Sequence, residues 1–259
     1  MPPRDDPALA IACTDLSVAW MSPTRMRVVE GIDLRLDRGD ATAVMGPTGA
    51  GKSSLLALLS GRADHDLAVD GGTAVVEGID VRRPGRARRM LLAYVGYLAQ
   101  GAGARLDARM TVGEIIAEPI TSRDRKVNAR ALAVRTAALL DEVELPLGAA
   151  VKFPYELSAG MRQRVALARA LVLQPRILIA DDPLANLDVE VQHIVRDAIA
   201  RRREEYGMAS LIATNDPALP RRLRARRIVL HQGHVVARDG AGGLIWTPGA
   251  EADHGLISS

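Results

Sequence analysis

The sequence predicts an α/β fold with one inserted helical lobe. Three observations lead there. "RILIADD" (176–182) has the unbroken apolar run of a buried parallel strand. "ATAVMGPTGAGKSSLLALLSG" passes from an apolar strand through a glycine loop into a helix that stops near Gly61. Residues 105 to about 173 are mainly helical, with Pro119 and Pro146 dividing them, before β structure returns.

In chain order, 9–21 ("LAIACTDLSVAWM") reads as a half-buried strand. So does 32–36, where Ile32, Leu34 and Leu36 alternate against Asp33 and Arg35 before a turn at Gly39. "LLAYVGYLAQ" (91–100) reads as another strand, followed by the helical lobe. Beyond "RILIADD", the segments "ASLIATND" and "RRIVLHQGHVVARDG" supply later strands, with the helix "EVQHIVRDAIARRREEYG" before the first of them. The organisation is one domain over 9–238, with a core of about 9–104 and 174–238, a helical subdomain of about 105–173, and a glycine-rich tail at 239–259 expected to be loosely ordered. There is no internal repeat.

At 259 residues, with 48% apolar and 25% charged residues, the chain can bury a sizeable core, and disordered and fibrous classes are excluded. Its net charge of +3 comes almost wholly from arginine, since Lys52, Lys126 and Lys152 are the only lysines. So small an excess does not imply nucleic acid. The basic runs 82–89, 201–203 and 221–227 lack interleaved aromatics and read as solvated faces. A lone cysteine, Cys13, forbids an internal disulfide and fits a reducing compartment. No window offers the roughly 18 apolar residues of a membrane span, and the N-terminus lacks a signal-peptide core, so a cytoplasmic chain is expected.

The most informative stretch is "GPTGAGKS": Gly46, Pro47, Thr48, Gly49, Ala50, Gly51, Lys52 and Ser53, with Ser54 following. It satisfies the P-loop pattern in its required context, between a strand and a helix. Glycines let successive N–H groups surround phosphates at a helix N-terminus. Lys52 would reach the β- and γ-phosphates, and Ser53 would ligate Mg²⁺. A lysine here, in a chain that otherwise uses arginine, points to a requirement for a slim ammonium.

About a hundred residues on, "YELSAGMRQRVALARALVLQPRILIADDPLANLD" resembles the signature, Walker B and D-loop block of ATP-binding cassette proteins, and the resemblance covers roughly 9–238. Leu157, Ser158, Ala159, Gly160 and Met161 match the signature, Ile177 to Asp181 the Walker B strand, and Leu184 to Asp188 the D-loop, ending in Asp188. Gln100 resembles the Q-loop glutamine, a further Mg²⁺ ligand and catalytic group, and Trp20 resembles the aromatic that stacks on adenine. The family's fold is a RecA-like P-loop core with an antiparallel β subdomain and an inserted helical subdomain. Its cofactors are ATP and Mg²⁺, with Asp181 holding the metal. Two cassettes pair head to tail, so the signature acts on the partner's ATP; Ser158 and Gly160 open a helix whose free N–H groups suit that task.

Two catalytic positions depart from the family pattern. Asp182 stands where a glutamate polarises the attacking water, and Asn215 stands where a histidine contacts the γ-phosphate. The shorter carboxylate retracts by about 1.5 Å, and misplacements near 1 Å can cost on the order of 100-fold in rate. Asparagine donates a hydrogen bond but carries no charge. Ala159 replaces a glycine, and its methyl is expected to crowd the phosphate. These changes imply a site that binds ATP and hydrolyses it poorly. They favour a different cassette as partner over a second copy of this chain.

"RMTVGEIIAEPI" and "FPYELSAGMRQRVALARAL" most resemble ATPase subunits of peptide and nickel importers. This implies separate transmembrane subunits, an extracytoplasmic solute-binding protein, and a peripheral place on the cytoplasmic face of the membrane. Met110 and Met161 read as packing residues. Two alternatives stay open: a non-transport nucleotide switch, and a binding-only regulatory cassette.

Overall fold

The structure is a computed structural model that describes residues 9–124, 126–185, 187–240 and 243–246. Strands β1 (Leu9–Trp20) and β2 (Met26–Asp37) form an antiparallel pair, and β3 (Ala41–Met45) leads through the glycine loop into α1 (Lys52–Leu59). β4 (Leu67–Val76) and β5 (Ile79–Asp80) complete a four-stranded antiparallel sheet in the order β2-β1-β4-β5. α2 (Arg88–Tyr94) precedes β6 (Val95–Leu98).

The inserted lobe comprises α3 (Val112–Thr121), α4 (Ala129–Glu142) and α5 (Ala159–Leu171). Then follow β7 (Ile177–Asp181), α6 (Val189–Tyr206), β8 (Ala209–Ala213), α7 (Leu219–Arg222), β9 (Arg226–His231), β10 (His234–Gly240) and β11 (Gly243–Trp246). The second sheet has the order β11-β10-β9-β3-β8-β7-β6, with β9 to β6 mutually parallel and β10 and β11 antiparallel at one edge.

Strand periodicity explains the layering. Along β7, Ile177 and Ile179 join the core shared with α1 and the antiparallel sheet, whereas Leu178 and Ala180 join the core of the helical lobe and α6. Successive strand residues point to opposite faces, so a run that must be apolar throughout is one covered on both sides. β8 repeats the pattern, with Leu211 in the first core and Ile212 in the second.

Three expectations change. The "LLAYVGYLAQ" strand begins only at Val95, because the preceding residues form α2, which buries Leu91 against Gly61. Pro119 does not divide the lobe; it sits inside α3, near the end, where its missing N–H costs a single intrahelical bond. A capping box between Thr111 and Glu114 starts that helix.

The expected boundary at 238 falls within β10, and residues 243–246 pair with it; the rest of the 239–259 tail lies outside the described residues. The turn between β9 and β10 holds Gln232 (φ 47°) and Gly233 (φ 84°), the pair of positive φ values a tight two-residue hairpin demands.

The basic runs are solvated apart from Arg202, Arg203 and Arg227. Arg202 is buried and pairs with Glu142 through two nitrogens, tying α6 to α4. Arg203 donates to the carbonyls of Gly39 and Leu223, Arg226 pairs with Asp37 and Asp40, and Arg227 with Asp239. Arg82, Arg83, Arg86, Arg88, Arg89, Arg201, Arg221, Arg222, Arg224 and Arg226 are exposed, as the sequence predicts. Among the described residues no helix is long and apolar enough to cross a membrane.

Candidate functional site

Four neighbouring parallel strands end at one rim of the larger sheet. Each is followed at once by a group singled out in the sequence: β3 by the glycine loop, β8 by Asn215, β7 by Asp182 and β6 by Gln100. Cross-strand register aligns the ends, pairing Val44 with Ala213, Asp181 with Ala213, and Leu98 with Ala180. Ligands of open parallel sheets bind outside these carboxyl ends. A cavity of about 270 Å³ lies there, lined by Val28, residues 48–54, Gln100, Asp181, Asp182 and Asn215.

The glycine loop owes its path to close backbone approaches. Gly46 (φ 135°) passes so near Leu230 that a Cβ would lie 2.0 Å from its carbonyl oxygen. Gly51 (φ 96°) would put one 2.3 Å from the carbonyl oxygen of Val28. No L side chain fits either position. Lys52 opens α1, and its Nζ donates to the carbonyls of Gly46 (2.5 Å) and Pro47 (2.9 Å). The ammonium thus spans the loop from within. Burial lowers the Lys52 pKa, and the charges of Asp181 and Asp182 oppose that shift.

Asp181 is 4% exposed and lines the cavity together with Ser53, whose hydroxyl favours its charged form. Hydroxyl and carboxylate oxygens so arranged are the hard donors that suit Mg²⁺. Burial raises the Asp181 pKa against the pull of Ser53 and Lys52. Asp182 is raised first by burial and then by the negative charge of Asp181. Its N–H donates to the carbonyl of Ala213 (2.9 Å), and its backbone lies in the left-handed region at φ 49°. Aspartate enters that region more readily than most residues.

For both acids the sign of the linkage is the same. A carboxyl whose folded pKa is raised adds stability fully present only below the ordinary value of about 3.9 and lost as pH rises through the raised value. Asp182→Asn is therefore expected to raise Tm at neutral pH and to flatten the fall in stability from about pH 4 upward. Calorimetric melting across that range checks it, and a neutral-pH Tm at or below the parent's would contradict the electrostatic account.

The remaining predicted residues fall elsewhere. Trp20 does not line the cavity; it ends β1, half-buried against the first core and paired with Met26 and Leu67, while the adjacent strand brings Val28 to the cavity wall. Leu157, Ser158, Ala159, Gly160 and Met161 are also absent from the lining. Ser158 caps α5, its Oγ accepting from the N–H of Met161 at 3.2 Å. Leu157 is buried, Ser158 and Ala159 are exposed, and Met161 packs against the second core, as does Met110. The Ala159 methyl is thus exposed and is not part of this chain's own cavity wall. Asp188 is exposed at the start of α6, and Asn186, within the D-loop stretch, lies outside the described residues.

Val28 is a wall of the cavity that the sequence does not mark. Its position depends on β2 of the antiparallel sheet folding over the glycine loop, which no local motif announces.

The model of the family described as "ABC transporter" matches residues 29–185. The chain is 31% identical over 217 residues to "Oligopeptide transport ATP-binding protein OppF" of Escherichia coli (strain K12), covering 84% of this chain and 64% of that protein. It is 33% identical over 239 residues to "Oligopeptide transport ATP-binding protein OppD" of Mycobacterium tuberculosis, covering 90% of this chain and 37% of that one. The chain thus spans less than two thirds of the length of either relative. "Sulfate/thiosulfate import ATP-binding protein CysA" of Rhodopseudomonas palustris is 32% identical over 89% of this chain and 64% of its own length. Among solved structures, "Dimeric Structure of MJ0796, a Bacterial ABC Transporter Cassette" superposes with a TM-score of 0.80 at 24% identity, over 88% of this chain and 97% of that one. The fold agrees with the cassette architecture, and the family match spans the glycine loop, the signature and the Asp181–Asp182 pair, so this chain belongs to the ABC transporter family.

Proposed function

We propose that this chain is the nucleotide-binding subunit of an ABC transporter, an importer of peptides, nickel or a similar small solute, whose own hydrolytic site is weakened. One observation carries the reading: Lys52, Ser53, Gln100, Asp181, Asp182 and Asn215, drawn from four strand ends, face a single cavity beneath a glycine loop. The peptide assignment leans on the names of the oligopeptide relatives. A sulfate/thiosulfate relative of similar identity is a reason to keep the cargo broad.

Loop amides and Lys52 bind the β- and γ-phosphates. Ser53 and Asp181, joined by Gln100, would hold Mg²⁺, which would supply charge neutralisation at the transferred phosphoryl group. Asp182 orients water and accepts its proton, and Asn215 donates to the γ-phosphate. Trp20, on the strand beside Val28, stacks on the adenine. Ser158 and Gly160, which do not line this cavity, serve the ATP of a second cassette, with Asp188 beside that interface. A partner with the usual glutamate and histidine would yield one fast and one slow site, so a heterodimer is favoured over two copies of this chain.

The assembly proposed has separate transmembrane subunits, lies on the cytoplasmic face of the membrane and works with an extracytoplasmic solute-binding protein. Affinity purification of the tagged chain from detergent-solubilised cells is expected to bring down integral membrane subunits in stoichiometric amount. Recovery of a soluble nucleic-acid complex instead would overturn the transport reading in favour of a nucleotide switch.

A further inference from the structure

Gln163 lies one turn into α5 beyond Ser158 and is 7% exposed. Its amide bridges two loops that are distant in sequence. Oε1 accepts from the N–H of Gly103 at 3.2 Å, and Nε2 donates to the carbonyl of Pro183 at 3.1 Å. Gly103 lies in the turn that follows Gln100, and Pro183 is the residue after Asp182. Both cavity-lining loops are therefore fastened to the helix that presents Ser158.

The contact is tight as well as polar. A Cβ on Gly103 would lie 2.8 Å from the backbone nitrogen of Gln163 and 3.0 Å from the carbonyl carbon of Arg162, so the turn rests directly on the helix backbone. Arg162 in turn donates to the carbonyl of Leu157 at 2.6 Å, holding the approach to Ser158. If either loop shifts while α5 stays, a buried amide group loses its partner, which is costly away from water. Helix and loops are thereby made to move together.

We propose that Gln163 is a positioning residue that relays nucleotide binding in this chain's own glycine loop to the Ser158 end of α5, the face offered to a second cassette. It touches neither cavity nor ligand and acts through Gly103 and Pro183. The proposal rests on the reading of the cavity as an ATP site, and its test separates the two.

Hydrogen–deuterium exchange of the full chain is measured with and without Mg·ATP, for the parent, Gln163→Met and Gln163→Glu. Methionine keeps the length and removes both hydrogen bonds; glutamate keeps the acceptor for Gly103 and loses the donor to Pro183. In the parent, Mg·ATP is expected to slow exchange at 46–54 and to change it at 158–163 by about 5-fold or more, the lower end of usual coupling between sites. Both variants are expected to keep the response at 46–54 and to lose most of that at 158–163. A purely structural role would lower Tm and raise exchange without ATP, leaving the ATP-dependent change at 158–163 intact. That result overturns the relay, as does a parent that responds at 46–54 and not at 158–163. A parent with no response at 46–54 overturns the ATP-site reading and the relay with it. Should Gln163→Met fail to fold, Gln163→Glu, close in shape to the parent, carries the same comparison.

Discussion

Lys52→Ala weakens Mg·ATP binding by about 10- to 100-fold, the equivalent of the roughly 1.5–3 kcal/mol that a hydrogen bond to a charged group contributes. Among the described residues the ammonium is the one cation lining the cavity, and it is held between the carbonyls of Gly46 and Pro47 at the point where the loop closes. Its lowered pKa reflects burial, and a phosphate would add negative charge that offsets the hydration burial removes. Fold stability should change little, because the two carbonyls released can return to water. Titration calorimetry of both forms with Mg·ATP decides the matter, and affinities within about twofold would remove Lys52 from phosphate binding. Lys52→Arg should not rescue, since a planar guanidinium is too broad for a loop whose path is set by contacts at Gly46 and Gly51.

Asp182→Glu combined with Asn215→His raises ATP turnover of the assembled complex by about 100-fold at this chain's site, the scale on which a reach error near 1 Å acts. Both side chains already face the cavity, so the change adds length at one position and a titratable donor at the other without moving the strands. A modest loss of stability should accompany the gain, because residue 182 has φ 49°, a conformation that aspartate tolerates better than glutamate. Turnover that is already fast in the parent and unchanged in the double variant would remove the weakened-site reading. The single variants separate the two contributions, and Asp182→Glu alone should supply most of the gain.

The parts of the site readable along the chain are those whose chemistry is contiguous. Gly46 to Ser53 form one unbroken loop, and Asp181 and Asp182 follow directly on an apolar run whose meaning as a doubly covered strand needs no partner to be seen. Ser158 is legible for a similar reason: a serine ahead of a helical stretch caps it locally.

Other features depend on which strand lies beside which. α2 is not legible along the chain because Arg88–Tyr94 runs without a break into β6, and the packing of Leu91 against Gly61 joins residues far apart in sequence. The arginine runs look solvated in sequence, yet Arg202 and Arg227 find carboxylates 60 and 12 residues away.

The sequence by itself determined the class of chemistry: a glycine loop with one slim ammonium, an acidic pair on a buried strand, and the two departures at Asp182 and Asn215. Local spacing sets these, since each motif's groups lie within a few residues of one another. Tertiary structure alone decided that four strand ends share one rim, that Trp20 stands off the cavity wall, that Asp182 sits in the left-handed region, and that Gln163 fastens two loops to one helix. The physical reason is register: parallel strands align their ends through hydrogen bonds between segments far apart in the chain, and no local periodicity records which ends will meet.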